Sequence, residues 1–230
     1  MTPKVAAIIP AAGSGQRLGG GQPKALRRLG GSTLLEHCIR ALASHPSVAQ
    51  IVVVAPPEEV AAITEDLPDI GAETAVVPGG RSRQASVAAG LRATDPSCGI
   101  VLVHDAARPL VPLTLVERVI DAVSSGAPAA VPGLPVADTI KQVDDSGIVL
   151  ATPPRHELRA IQTPQGFRRE VLAGAHRRAG DQHTATDDAA LVEAAGYPVL
   201  VVAGARAAMK ITTPEDLELA ELLVATETEA

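Results

Sequence analysis

Short runs of β-branched and aliphatic residues punctuate the chain at Val5 to Ile9, Ile51 to Val54, Thr74 to Val77, Ile100 to Val103, Ala129 to Val131 and Val199 to Val202. They are apolar throughout rather than alternating, the pattern of strands covered on both faces. Between them lie segments of helical period: Leu34 to Leu42, Val60 to Leu67, Val87 to Leu91, Leu115 to Val123, Ala189 to Ala195 and Leu217 to Val224. Strand alternating with helix predicts an α/β fold, a doubly wound, mainly parallel sheet with right-handed crossovers. One segment breaks the rhythm. Leu134 to Arg155 reads as two extended runs joined by Asp145-Ser146-Gly147, a hairpin turn signal. A hairpin projecting from an α/β body needs a packing partner, and a second copy of the chain is the expected one.

Length and composition narrow this picture. A chain of 230 residues that is 46% hydrophobic can bury a substantial core and fits one α/β domain, residues 1–230, better than two small ones. With one Phe, one Tyr and no Trp the core must be aliphatic, and stacking platforms for single-stranded nucleic acid are missing. A net charge of -6 argues against a nucleic-acid partner as well. Cys38 and Cys98 are too few and too far apart for a metal knuckle or a disulfide framework; they read as reduced thiols, which favours a cytoplasmic location. Pro10 and Gly13 interrupt the N-terminal apolar run, so it reads as a buried strand rather than a signal peptide or a membrane span. The lysines are Lys4, Lys24, Lys141 and Lys210 alone, each a compact point charge in an arginine-rich chain.

In such a sheet ligands bind beyond the carboxyl ends of the strands, so the loops there carry the candidate chemistry. The first, IIPAAGSGQRLGGGQPKAL, departs from two familiar phosphate loops. A dinucleotide fingerprint starting at Gly13 needs glycine where Leu18 stands, and a Walker loop needs glycine before its lysine where Pro23 stands. What remains is a glycine-rich loop whose backbone N–H groups can approach an anion, with Arg17 and Lys24 to add charge. A surface loop with incidental basic residues explains this segment equally well by itself. The loop after the third strand, VPGGRSRQASV, sets Gly79 and Gly80 before a helix whose first turn holds Ser82, Arg83 and Ser86. The next, VLVHDAARP, sets Asp105 where a magnesium ligand or substrate contact belongs, with Arg108 three residues on. His104 and Asp105 point to opposite sides, so only one faces the site, and His104 reads as a structural histidine.

Taken in order, PAAGSGQRL with QPK, GGRSRQASV, HDAARP, PVADTIK, QTPQGF, TDDAALVE and KITTPEDL resemble the 2-C-methyl-D-erythritol 4-phosphate cytidylyltransferases (IspD family) of the non-mevalonate isoprenoid pathway over nearly the whole chain. The opening motif alone also marks other nucleotidyltransferases. HDAARP followed by DTIK and TPQ is far more specific. The resemblance implies a Rossmann-like nucleotidyltransferase that joins CTP to a sugar-alcohol phosphate and releases pyrophosphate, with Mg²⁺ bridging the triphosphate. The nucleophile is a phosphate monoester with a second pKa of about 6, so it arrives ionised and needs no general base.

The same resemblance implies that Arg17 and Lys24 stabilise the transition state, while Arg155 and Lys210 hold the incoming phosphate. The backbone of Pro10, Ala11, Ala12 and Gly13, with Gly80, Ser86 and Ala106, would read cytosine and ribose. Asp105, Arg108, Thr139, Thr163 and Thr186 would surround the alcohol phosphate, with Asp105 as metal ligand, substrate contact or both. The arm at about 134–155 would cross to the partner in a homodimer, so that Thr139 and Arg155 complete the neighbouring site. Arg81 stands where some relatives carry an acid, and no role transfers to it. Asp187 and Asp188 read as capping and dipole partners of a helix start. A cytidylyltransferase for ribitol phosphate or another polyol phosphate, and an inactive nucleotide-binding regulator, are the competing readings. The four cations argue against the second, since a binder has no use for charge aimed at a transition state.

Overall fold

A computed structural model describes residues 3–13, 23–180 and 185–228. β1 (Val5–Pro10) is followed by a small hairpin of β2 (Arg28–Leu29) and β3 (Ser32–Thr33) that leads into α1 (Leu34–Ala43). Then come β4 (Val48–Ala55), α2 (Val60–Glu65), β5 (Glu73–Pro78), α3 (Arg83–Ala93), β6 (Ile100–Val103), α4 (Leu113–Ser124) and β7 (Ala129–Pro135). β8 (Gln142–Val143) and β9 (Val149–Ala151) form a separate antiparallel pair. The chain continues with β10 (Arg159–Ile161), β11 (Gln165–Arg168), α5 (Arg169–Ala179), α6 (Asp188–Ala194), β12 (Val199–Ala203) and α7 (Pro214–Thr228).

The main sheet runs β7-β11-β6-β1-β4-β5, with β10 and β12 also paired to β7. The β1–β4, β4–β5, β1–β6 and β7–β12 pairs are parallel, while β10 and β11 run antiparallel to their neighbours. β1 lies at the centre, and Val5 to Ile9 are fully buried. One face packs against α1 and α4, which bury Leu35, Cys38, Ile39 and Leu42, and Leu115, Val119 and Val123. These spacings put one apolar stripe on each helix. The other face packs against α3, α5 and α6 through Val87, Leu91, Phe167, Leu172 and Leu191. Gly90 lets α3 sit close on the sheet, since a Cβ there would meet Ile8 Cγ2 at 2.6 Å and Val54 Cγ2 at 2.9 Å.

The mainly parallel sheet is as expected from the sequence, and so is the hairpin. Its turn is built by Asp144, which accepts bonds from Ser146 and Ile148, and Gly147 takes φ +83. One expectation fails. β5 and β12 are not covered on both faces: β5 ends the sheet, β12 pairs with β7 alone, and Leu200 and Val201 are 49% and 45% exposed. α3 starts at Arg83, in line with the expected first turn at Ser82, Arg83 and Ser86, and Ser82 caps it by accepting from Ala85 N. β10, β11 and α5 lie outside the elements expected from the pattern. Among the described residues no helix is long and apolar enough to cross a membrane, and Cys38 and Cys98 are buried and unbonded to each other.

Candidate active site

The strand order reverses at β1, between β4 on one side and β6 on the other, and such a switch point opens a crevice at the carboxyl ends of the strands. A cleft of about 350 Å³ occupies it. Pro10 to Gly13 form one wall, continuing β1, with Ala11 N bonded to Val54 O at 2.8 Å. Gly80 to Arg83 and Ser86 form the opposite wall, Asp105 to Ala107 the base, and Lys24 and Lys210 also line the cleft. Glycine is required where the walls approach. A Cβ on Gly79 would meet Ala12 Cβ at 2.8 Å, and one on Gly80 would meet Ala85 Cβ at 2.5 Å. The Ser86 hydroxyl locks this turn, donating to Ser82 O and accepting from Gly80 N.

Asp105 lies between two cations. Lys210 Nζ donates to its Oδ2 at 2.8 Å, and Arg83 Nη2 reaches Oδ1 at 3.4 Å. Burial pushes the Asp105 carboxyl up, but Arg83 and Lys210 outweigh it and hold it at about 2, so it is ionised at neutral pH. The other guanidinium nitrogen of Arg83 donates to Asp188 at 2.6 Å. Asp188 is 1% exposed and also takes His176 Nε2 at 3.1 Å. Capping belongs to Asp187, whose carboxylate accepts from Ala190 N and Gln165 Nε2. Asp188 stands in the first turn of α6, as the reading of it as a dipole partner expects, but it caps nothing: it packs inward, into an ion-paired cluster.

Hydrogen bonds behind the cleft hold its base. His104 is fully buried, with Nε2 against Arg108 O at 3.1 Å and Nδ1 against Thr163 Oγ1 at 3.0 Å. The carbonyl requires the proton on Nε2, so Nδ1 accepts from the Thr163 hydroxyl. That hydroxyl accepts in turn from Asp105 N at 3.0 Å. Burial pushes the His104 imidazole down to about 4, so it is neutral, and it is not among the residues that line the cleft, in line with the alternation. Arg108 donates to Ala208 O and Ile161 O, and Gln162 bonds to Ala205 and Ala208. Together with Ile211 N to Ala107 O, these bonds fix the loop that carries Lys210.

The cleft thus gathers Pro10, Ala11, Ala12, Gly13 and Lys24, together with Gly80, Ser86, Asp105, Ala106 and Lys210. Arg108 and Thr163 stand directly behind it, buried. Arg17 lies outside the described residues. Thr139, Arg155 and Thr186 are exposed and do not line it; Arg155 donates to Ala137 O at 2.8 Å, at the root of the arm. Arg81 lines the cleft at its exposed edge. Sequence reasoning passed over Arg83 as a charged side chain of the cleft and gave Gln162 no part. The cation in the first turn of α3 was a usable signal for Arg83; none pointed to Gln162. Among the described residues no three His, Cys, Asp or Glu side chains gather as a metal cage. Asp105 is the one carboxylate among the described residues lining the cleft, so a magnesium ion there would take its other ligands from phosphate oxygens and would compete with Lys210 and Arg83 for Asp105.

A doubly wound sheet, a glycine-walled cleft at its switch point and cations converging on it define a nucleotide-binding enzyme of the nucleotidyltransferase class. The model of the IspD family, 2-C-methyl-D-erythritol 4-phosphate cytidylyltransferase, matches residues 5–226. The protein of that name from Frankia casuarinae is 53% identical over 224 residues, 97% of this chain and 82% of that protein. Its namesake from Streptomyces avermitilis is 52% identical over 233 residues, covering 96% of this chain and 92% of that protein. Among solved structures, the cytidylyltransferase of Thermus thermophilus superposes with a TM-score of 0.79 at 41% identity, covering 98% of this chain and 100% of that one. The chain belongs to the IspD family.

Proposed function

We propose that this chain transfers the cytidylyl group of CTP to 2-C-methyl-D-erythritol 4-phosphate, giving 4-CDP-2-C-methyl-D-erythritol and pyrophosphate for non-mevalonate isoprenoid synthesis. The observation that carries this reading is the convergence of Lys24, Lys210 and Arg83 with Asp105 on one glycine-walled cleft, in a chain of the IspD family.

The mechanism follows from charge. The nucleophile is a phosphate monoester, ionised at neutral pH, so no side chain need remove a proton. Neutral, buried His104 is a structural member of the cleft base, consistent with chemistry that lacks a general base. Backbone groups from Pro10 to Gly13, with Gly80 and Ala106, hold cytosine and ribose, and Ser86 keeps the Gly80 turn in shape. Lys24 supplies positive charge to the α-phosphate and the departing pyrophosphate, where negative charge shifts in the transition state, a part the family resemblance gives to Arg17 as well. Lys210, with Arg155, aligns the incoming phosphate for in-line attack. Asp105 meets the hydroxyls of the alcohol, and Arg108 and Thr163 keep Lys210 and Asp105 in place. Mg²⁺ entering on the triphosphate would be held by Asp105 and phosphate oxygens, and would neutralise charge there.

The 230 residues act as one domain in a cytoplasmic homodimer. In support, Val143, Ile148, Val149 and Leu150 of the arm are 51% to 64% exposed. Leu200 and Val201 of β12 are exposed too, and uncovered apolar surface of this kind marks an interface. Thr139 and Arg155 would then complete the partner's site. Pyrophosphate release, assayed with each nucleoside triphosphate and each polyol phosphate, with and without Mg²⁺, tests the reading. Release is expected with CTP and methylerythritol phosphate, and only when Mg²⁺ is present. Equal release with ribitol phosphate would overturn the assigned acceptor.

A further inference from the structure

A carboxylate is rarely as buried as Asp188 unless it is paired, and its partners are Arg83 at 2.6 Å and His176 at 3.1 Å. Replacing a buried ion pair by apolar groups often costs no stability, so stability alone does not account for this cluster. The geometry does. Arg83 spans two carboxylates, with Nη1 on Asp188 beneath the cleft and Nη2 towards Oδ1 of Asp105 inside it. A guanidinium is a rigid planar fork, so anchoring one arm fixes the other. The buried contact is the short one, and the contact in the cleft is long at 3.4 Å. The anchor therefore holds Arg83 back from Asp105. Without it, Asp105 would be the carboxylate left within reach of Arg83, and the fork would close on Oδ1, the oxygen that Lys210 does not hold.

We propose that Asp188 is a positioning residue for the alcohol-phosphate substrate: it anchors Arg83 and so keeps the Asp105 carboxylate available to substrate hydroxyls. His176, on the second oxygen of Asp188, leaves Oδ2 to Arg83 and fixes the direction of the anchor. The inference rests on the reading of Asp105 as a substrate contact.

Steady-state kinetics of Asp188→Asn, Arg83→Gln, the double variant and Asp105→Asn test it. In Asp188→Asn the KM for methylerythritol phosphate is expected to rise about tenfold while that for CTP stays within about twofold; in the Arg83→Gln background the same change adds less than about twofold. An unchanged KM, an equal rise for both substrates, or the same rise without Arg83 overturns the proposal. If Asp188→Asn does not fold, Arg83→Lys carries the test, because it keeps a cation beside Asp188 and loses the fork. Its KM for the alcohol phosphate is expected to rise about fivefold or more with an unchanged melting temperature, and an unchanged KM overturns the proposal. A raised KM in Asp105→Asn but not in Asp188→Asn overturns the anchor alone. An unchanged KM in Asp105→Asn overturns the reading of Asp105 beneath it.

Discussion

A cation that meets its full complement of negative charge only as the bond to pyrophosphate breaks contributes to kcat more than to KM. Lys24 is cast in that part. Lys24→Ala is expected to lower kcat on the order of 10³-fold, with a much smaller change in the KM for CTP; equal losses in both would mean uniform binding of the nucleotide instead. His104 makes a different prediction, on stability. Its folded value of about 4 lies below the unfolded value of 6.5, so between these the unfolded chain binds more protons and stability rises with pH. The contribution is complete above about 6.5 and is lost as pH falls towards 4. From pH 7 to pH 5 this amounts to about 2 kcal/mol. Urea unfolding across that range should show the loss in the parent chain and a flatter profile in His104→Gln. Equal slopes would contradict the buried neutral tautomer. Asp105, depressed to about 2, acts only at lower pH.

At the scale of elements, the cleft depends on how closely the turn after β5 approaches the loop after β1. Gly79→Ala would drive a methyl group to 2.8 Å from Ala12 Cβ and 3.3 Å from the Ala55 carbonyl. Such overpacking costs about 1–3 kcal/mol, and because it separates the walls it should also raise the KM for CTP. A variant as stable and as tight for CTP as the parent would show that the walls have slack. This wall was legible in the sequence: the central strands are covered on both faces and read as unbroken apolar runs, and paired glycines have few reasons to precede a helix other than close approach. The edges were less legible. VLVVA in β12 reads like a buried strand, because an apolar strand left partly exposed has the same composition as a covered one. β10 and β11 are too short to show a period, and α5 buries only Val171, Leu172 and Ala175 among charged residues. Nothing in TDDAALVE separates the capping Asp187 from the buried Asp188, since the partners of Asp188 lie on α3 and α5.

For the molecule as a whole, the open question of assembly lies in the arm and the β12 edge. Thr139 and Arg155 sit outside the cleft of their own chain, so their assigned parts require a partner. Val149→Asp with Leu150→Asp is expected to yield a folded monomer by sedimentation, with CTP binding retained and turnover lost. A fully active monomer would remove the partner from the mechanism. The central claim is that an oxygen of the substrate's own phosphate becomes the bridge to the α-phosphorus of CTP as pyrophosphate leaves. Incubation with methylerythritol phosphate carrying ¹⁸O on its non-ester phosphate oxygens, read by ³¹P NMR and mass spectrometry, tests it most directly. The account predicts ¹⁸O in the bridging position of the CDP-alcohol and none in the pyrophosphate; an unlabelled bridge, or label in the pyrophosphate, would contradict it.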